Sequence, residues 1–64
     1  MERKELIEQG YILHHTASRR GYLSRKGPEK VEAYKGRFGC GYIVLSPRFD
    51  TSRYVDVAYY VRPV

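Results

Sequence analysis

The sequence predicts an α+β domain: a small twisted antiparallel sheet of four or five strands in meander order, with one short helix at its N-terminus. Three observations carry this. Residues 54–61 alternate, with Val55, Val57, Tyr59 and Val61 on one side and Tyr54, Asp56, Ala58 and Tyr60 on the other. The chain from Tyr11 onward is rich in tyrosine and β-branched residues, cut into short runs by glycine and proline. A lone helical pattern over residues 2–9 stops at Gly10. A small open β-barrel is the alternative arrangement of the same strands.

The elements follow in order. In residues 2–9, Glu2 and Glu5 lie near the positive end of the helix dipole, and Leu6 and Ile7 supply an apolar edge. Gly10 suits the left-handed C-terminal cap, and Tyr11 is placed to fold back onto Leu6. Two turns do not stand alone in water, so the helix requires docking. Residues 11–16 and 21–25 read as strands, separated by Ala17-Ser18-Arg19-Arg20 as a hairpin loop. Gly27-Pro28 breaks the chain. Residues 31–35 form the next strand, with Val31, Ala33 and Lys35 on one side and Glu32 and Tyr34 on the other. Residues 36–41 form a turn, 42–46 the most buried-looking strand, 46–52 a loop, and 54–61 the last strand. The valine side of that last strand is the natural core. Its other side, two tyrosines beside an aspartate, requires cover from the helix or serves as a contact surface. Short loops between short strands favour antiparallel neighbours.

Size bounds the rest. The 64 residues are expected to form one domain, residues 1–64, with a core made marginal by the chain's length. Cys40 is the only cysteine, so no intrachain disulfide is available; this fits a reducing, cytoplasmic setting. The hydrophobic fraction of 42% is too high for a disordered polybasic tail. No apolar run approaches the ~20 residues that span a bilayer, so no membrane association is expected.

The charge distribution is the best functional clue. Residues 19–37 hold Arg19, Arg20, Arg25, Lys26, Lys30, Lys35 and Arg37 against Glu29 and Glu32, which accounts for the whole net charge of +5. Charge concentrated in one segment presents a local positive field to polyanions. Arginine holds phosphate oxygens bidentately, and Tyr22 and Tyr34, interleaved among the cations, are candidate platforms for unpaired bases. The competing reading is surface charge for solubility, with arginines stacked on tyrosines for packing alone. No zinc-finger spacing, helix-turn-helix pattern or ribonucleoprotein signature accompanies the cations, so phosphate contact without base reading is as far as they point.

Three other constellations read as structural. His14 and His15, adjacent in a strand, are expected on opposite faces, and the ligands for a structural zinc are too few, so no metal or other cofactor is expected. Cys40, between Gly39 and Gly41, matches no nucleophile elbow, and no pocket, base and orienting group assemble around it, so no catalytic residue and no small-molecule substrate are assigned. Gly36, Gly39 and Gly41 lack the spacing of phosphate-binding loops and read as a hairpin turn with a glycine bulge.

Two functions stay open. The first is a small non-enzymatic module that contacts DNA or RNA phosphates through the basic segment. The second is a protein-interaction or inhibitory module, as a homodimer or with another protein, using Tyr54 and Tyr60 on the tyrosine-bearing sheet face. In size and self-containment the chain resembles the small accessory proteins of mobile genetic elements.

Overall fold

The computed structural model describes residues 2–20, 28–47 and 54–62. They form one helix, α1 (Arg3–Glu8), and four strands: β1 (Ile12–Arg20), β2 (Lys30–Gly36), β3 (Gly39–Pro47) and β4 (Tyr54–Val61). The strands make a single antiparallel open sheet in the order β1-β4-β3-β2. β1 and β2 are its edges.

This order corrects the meander. Only β2, β3 and β4 follow one another as neighbours, and β1 lies beyond β4, so the four strands form a Greek key read from the C-terminal end. Residues 17–20 are not a hairpin loop. The strand continues through them, pairing Ala17 with Val57, Ser18 with Asp56, Arg19 with Val55 and Arg20 with Tyr54. No glycine or proline interrupts residues 11–20, and the eight residues of β4 offer partners along that whole length. The strand expected at residues 21–25 and most of the 46–52 loop lie outside the described residues.

The helix ends as its sequence dictates. Gly10 adopts φ +91°, its N–H donates to Ile7 (3.1 Å), and the Tyr11 N–H donates to Leu6 (3.0 Å). These are the two bonds of a Schellman motif, with the expected contact between Tyr11 and Leu6 closing it. The β2–β3 turn is tighter than residues 36–41 suggest. Gly36 pairs with Gly39, leaving Arg37 and Phe38 at the tip, and Gly39 supplies the left-handed residue at φ +100°.

Both sheet faces carry core. On one, Leu6 of α1 is completely buried against Val44, Ala58 and Tyr60, with Tyr11, Val31 and Tyr42 around them. On the other, Ile43, Leu45, Val55 and Val57 are buried together, flanked by Tyr34 and Tyr59. The valine side of β4 is therefore core, as its alternation requires, and the helix covers Ala58 and Tyr60 on the opposite side. A triangle of polar contacts holds the start of the helix to the sheet. Arg3 pairs with Glu29 (2.8 Å) and donates to Ser46 Oγ (3.0 Å), which in turn donates to Glu29 (3.0 Å).

Candidate nucleic-acid interface

The candidate interface is built from the edge strands. In an antiparallel ladder, residues directly opposite share a face. Arg20 therefore lies on the helix-bearing face beside Tyr54, and Arg19 on the opposite face beside Val55. Both arginines are exposed and stand at the end of β1. Lys30 starts β2 at this same end of the sheet, opposite Leu45. β1 thus ends at Arg20 and β2 begins at Lys30 at one end of the sheet, on opposite edges. The two edges lie three strand spacings apart, about 14 Å.

The remaining cations divide. Lys35, opposite Cys40, and Arg37, in the β2–β3 turn, sit at the far end of the sheet, about 17 Å from Lys30 along β2. Arg25, Lys26 and Tyr22 lie outside the described residues. The acidic residues of the basic segment are engaged locally: Glu29 with Arg3, and Glu32 with Lys30 at 3.2 Å. Of the segment's described cations, Arg19 and Arg20 therefore stand on opposite faces of one edge and Lys30, paired with Glu32, on the other edge at the same end, while Lys35 and Arg37 sit at the turn end.

The tyrosines divide as well. Tyr34 is half-buried, meets Tyr59 edge-on at 4.9 Å, and its hydroxyl accepts a hydrogen bond from the Phe38 N–H (3.3 Å). Tyr60 is buried in the core beneath the helix at 6% exposure. Tyr54, by contrast, is 44% exposed and is the cross-strand neighbour of Arg20. An exposed aromatic ring offers a face on which a base can stack, and a nearby guanidinium can add to it. Its signal in the sequence was its position at the first residue of β4, opposite the end of a strand whose full length the local pattern did not disclose.

At the turn end, the expectation that His14 and His15 point apart fails. The β1–β4 register slips between Leu13 and His15, so His14 is an extra residue and the alternation breaks there. Both imidazoles then meet the Phe38 ring, at 4.8 and 5.0 Å between centroids, and His15 also approaches Tyr59 at 5.9 Å. Phe38 itself packs edge-on against Tyr59 at 5.2 Å. This is an aromatic clasp from the turn, across β4, to the edge strand β1. Among the described residues no group of three or more His, Cys, Asp or Glu side chains is arranged to hold a metal. Cys40 is exposed within β3, not on the turn tip, and lines a shallow groove with His14, Ile12, Phe38 and Val61.

No helix among the described residues is long and apolar enough to cross a membrane. Comparison of the chain with known protein families, with curated proteins and with solved structures finds no match.

Proposed function

We propose that the chain is a non-enzymatic binding module that contacts nucleic-acid phosphates at the end of its sheet where β1 finishes and β2 begins. Arg19, Arg20 and Lys30 supply the positive groups, and Arg25 and Lys26 belong to the segment between them. The observation that carries this reading is topological. The stretch from Arg19 to Lys30, which holds most of the excess charge, starts and finishes at one end of the sheet. Tyr54, exposed beside Arg20, is the platform for an unpaired base, a role for which its exposure suits it better than that of half-buried Tyr34. Lys35 and Arg37, at the far end, lie outside this surface.

The test is a salt titration of binding to single- and double-stranded oligonucleotides. Wild type binds at micromolar concentration or tighter in low salt, and log K falls linearly with log salt, because phosphate contacts release counterions. The double variant Arg19→Glu, Arg20→Glu weakens binding at least tenfold and lowers the slope by roughly 2 on duplex DNA, about 0.9 for each phosphate no longer neutralised. Tyr54→Ala reduces single-strand affinity by about tenfold, equivalent to the loss of one stacked base at ~1–3 kcal/mol. Absence of low-salt binding, or binding indifferent to the arginine reversal, rejects the reading. The protein-interaction alternative then takes precedence, with Tyr54 as the one exposed member of its tyrosine pair.

A further inference from the structure

The molecule exposes more surface than a compact monomer of its size. Its accessible area is 4943 Å² at 7.5 kDa, whereas the scaling for folded monomers gives about 4,200 Å². Its radius of gyration, 11.8 Å, likewise exceeds the ~10.7 Å expected for 64 residues. The described strands form one open sheet with two edge strands, and the molecule measures 38 × 22 × 14 Å.

The edges differ. β2 follows Pro28 and carries Lys30, Glu32 and Lys35, the charges and proline that discourage edge-to-edge pairing. β1 is longer at nine residues, and all of it is exposed except Ala17, which is half-buried. Its centre, Thr16-Ala17-Ser18, consists of small uncharged side chains, so a second strand meets no steric or electrostatic obstacle there. The row of backbone N–H and C=O groups facing away from β4 is a template for one more strand.

We propose that β1 is a dimerisation edge whose partner is a second copy of this chain, paired antiparallel about a two-fold axis at Ala17 to give one continuous eight-stranded sheet. A two-fold interface requires a self-complementary strip, and β1 is one. Centring on Ala17 sets Thr16 opposite Ser18, Arg19 opposite His15, and Arg20 opposite Leu13 across the bulge, and each pair shares a face. The four arginines of the two strands never face one another. The aliphatic stem of Arg20 lies over the partner copy's Leu13, a residue 52% exposed in the monomer. This inference is independent of the phosphate-binding reading.

The test is the solution mass of the whole chain by analytical ultracentrifugation, in the absence of nucleic acid, from 10 μM to 1 mM. Wild type is expected to approach twice 7.5 kDa over this range. In Thr16→Lys with Ser18→Lys, the two-fold axis brings lysine against lysine at both cross-strand positions, and dimerisation is lost. In Thr16→Glu with Ser18→Lys, each glutamate faces a lysine, and dimerisation is restored. Both variants leave the arginines in place and set the same introduced lysine opposite Asp56 within the chain, and circular dichroism checks that the two fold alike. A cross-link reports the register: Ala17→Cys in a Cys40→Ser background oxidises to a covalent dimer, because position 17 faces itself. A wild type that stays monomeric to 1 mM overturns the proposal. So does a dimer that the lysine pair leaves intact, or a position 17 cysteine that fails to cross-link.

Discussion

Gly41 shows how much one residue decides in a sheet this small. It pairs with Tyr34 on one side and Val61 on the other. A Cβ at this position would overlap the carbonyl oxygen of Tyr60 and come within 2.9 Å of Val61 Cα. The obstruction is backbone on a central strand, which cannot yield without breaking the ladder. Gly41→Ala is therefore expected to destabilise the fold by about 3 kcal/mol, the upper part of the range for overpacking. Urea denaturation followed by circular dichroism measures it, and a loss under about 1 kcal/mol, the lower end of that range, would mean that β3 and β4 separate there without penalty. Gly39, two residues earlier, has open space around the same virtual atom, and its constraint is the positive φ of the turn. Neighbouring glycines in one motif thus serve different physical ends.

At the scale of elements, the helix is the dependent part. Six residues without a side-chain cap cannot hold themselves together, so α1 exists through Leu6, its Schellman end and the Arg3–Glu29–Ser46 contacts. The ion pair is more than a third exposed on both sides, and surface pairs of this kind contribute about 0–1 kcal/mol. Leu6 dominates. Leu6→Ala is expected to cost about 3 kcal/mol, from lost burial plus the cavity beneath Tyr11 and Tyr60. Because a domain of this size has only about 3–10 kcal/mol of total stability, the variant sits near its unfolding threshold. Its amides in α1 should exchange rapidly with solvent, and full protection of those amides would show that the helix is held by something other than Leu6. The edge strand β1 has the opposite character. It is held by its β4 ladder and by the clasp of Phe38 on His14 and His15, and both its faces are largely open.

For the whole molecule, the shortage is of buried surface. A single open sheet carries a six-residue helix on one face, and the proposed pairing with a second copy along β1 would stabilise it by mass action. The melting temperature of wild type is therefore expected to rise with protein concentration, while that of Thr16→Lys with Ser18→Lys stays constant. Scanning calorimetry at concentrations about a hundredfold apart distinguishes them, and a wild-type melting temperature independent of concentration contradicts the dimer. The charge distribution is also a whole-molecule property. Residues adjacent in sequence, such as Arg19 and Arg20, lie on opposite faces, whereas Arg20 and Tyr54 become neighbours only through the β1–β4 pairing.

The features legible in the sequence are those governed by neighbours along the chain. Gly10 ends the helix because only glycine takes the left-handed cap without strain, and the turn at Arg37-Phe38 lies between glycines. The alternation of 54–61 displays both faces of β4 to the residue. The tertiary structure decided what depends on distant pairing. Ser18 meets Asp56 across 38 positions of sequence, and that long-range ladder, not any local propensity, carries the strand through Ala17-Ser18-Arg19-Arg20 and replaces a meander with a Greek key. The same pairing inserts the bulge that turns both histidines onto Phe38, and it divides the basic segment between the two ends of the sheet. The alternation within a strand is written in its own residues. Its partner is chosen by the energy of a ladder whose other half lies elsewhere in the chain, and so it leaves no local trace.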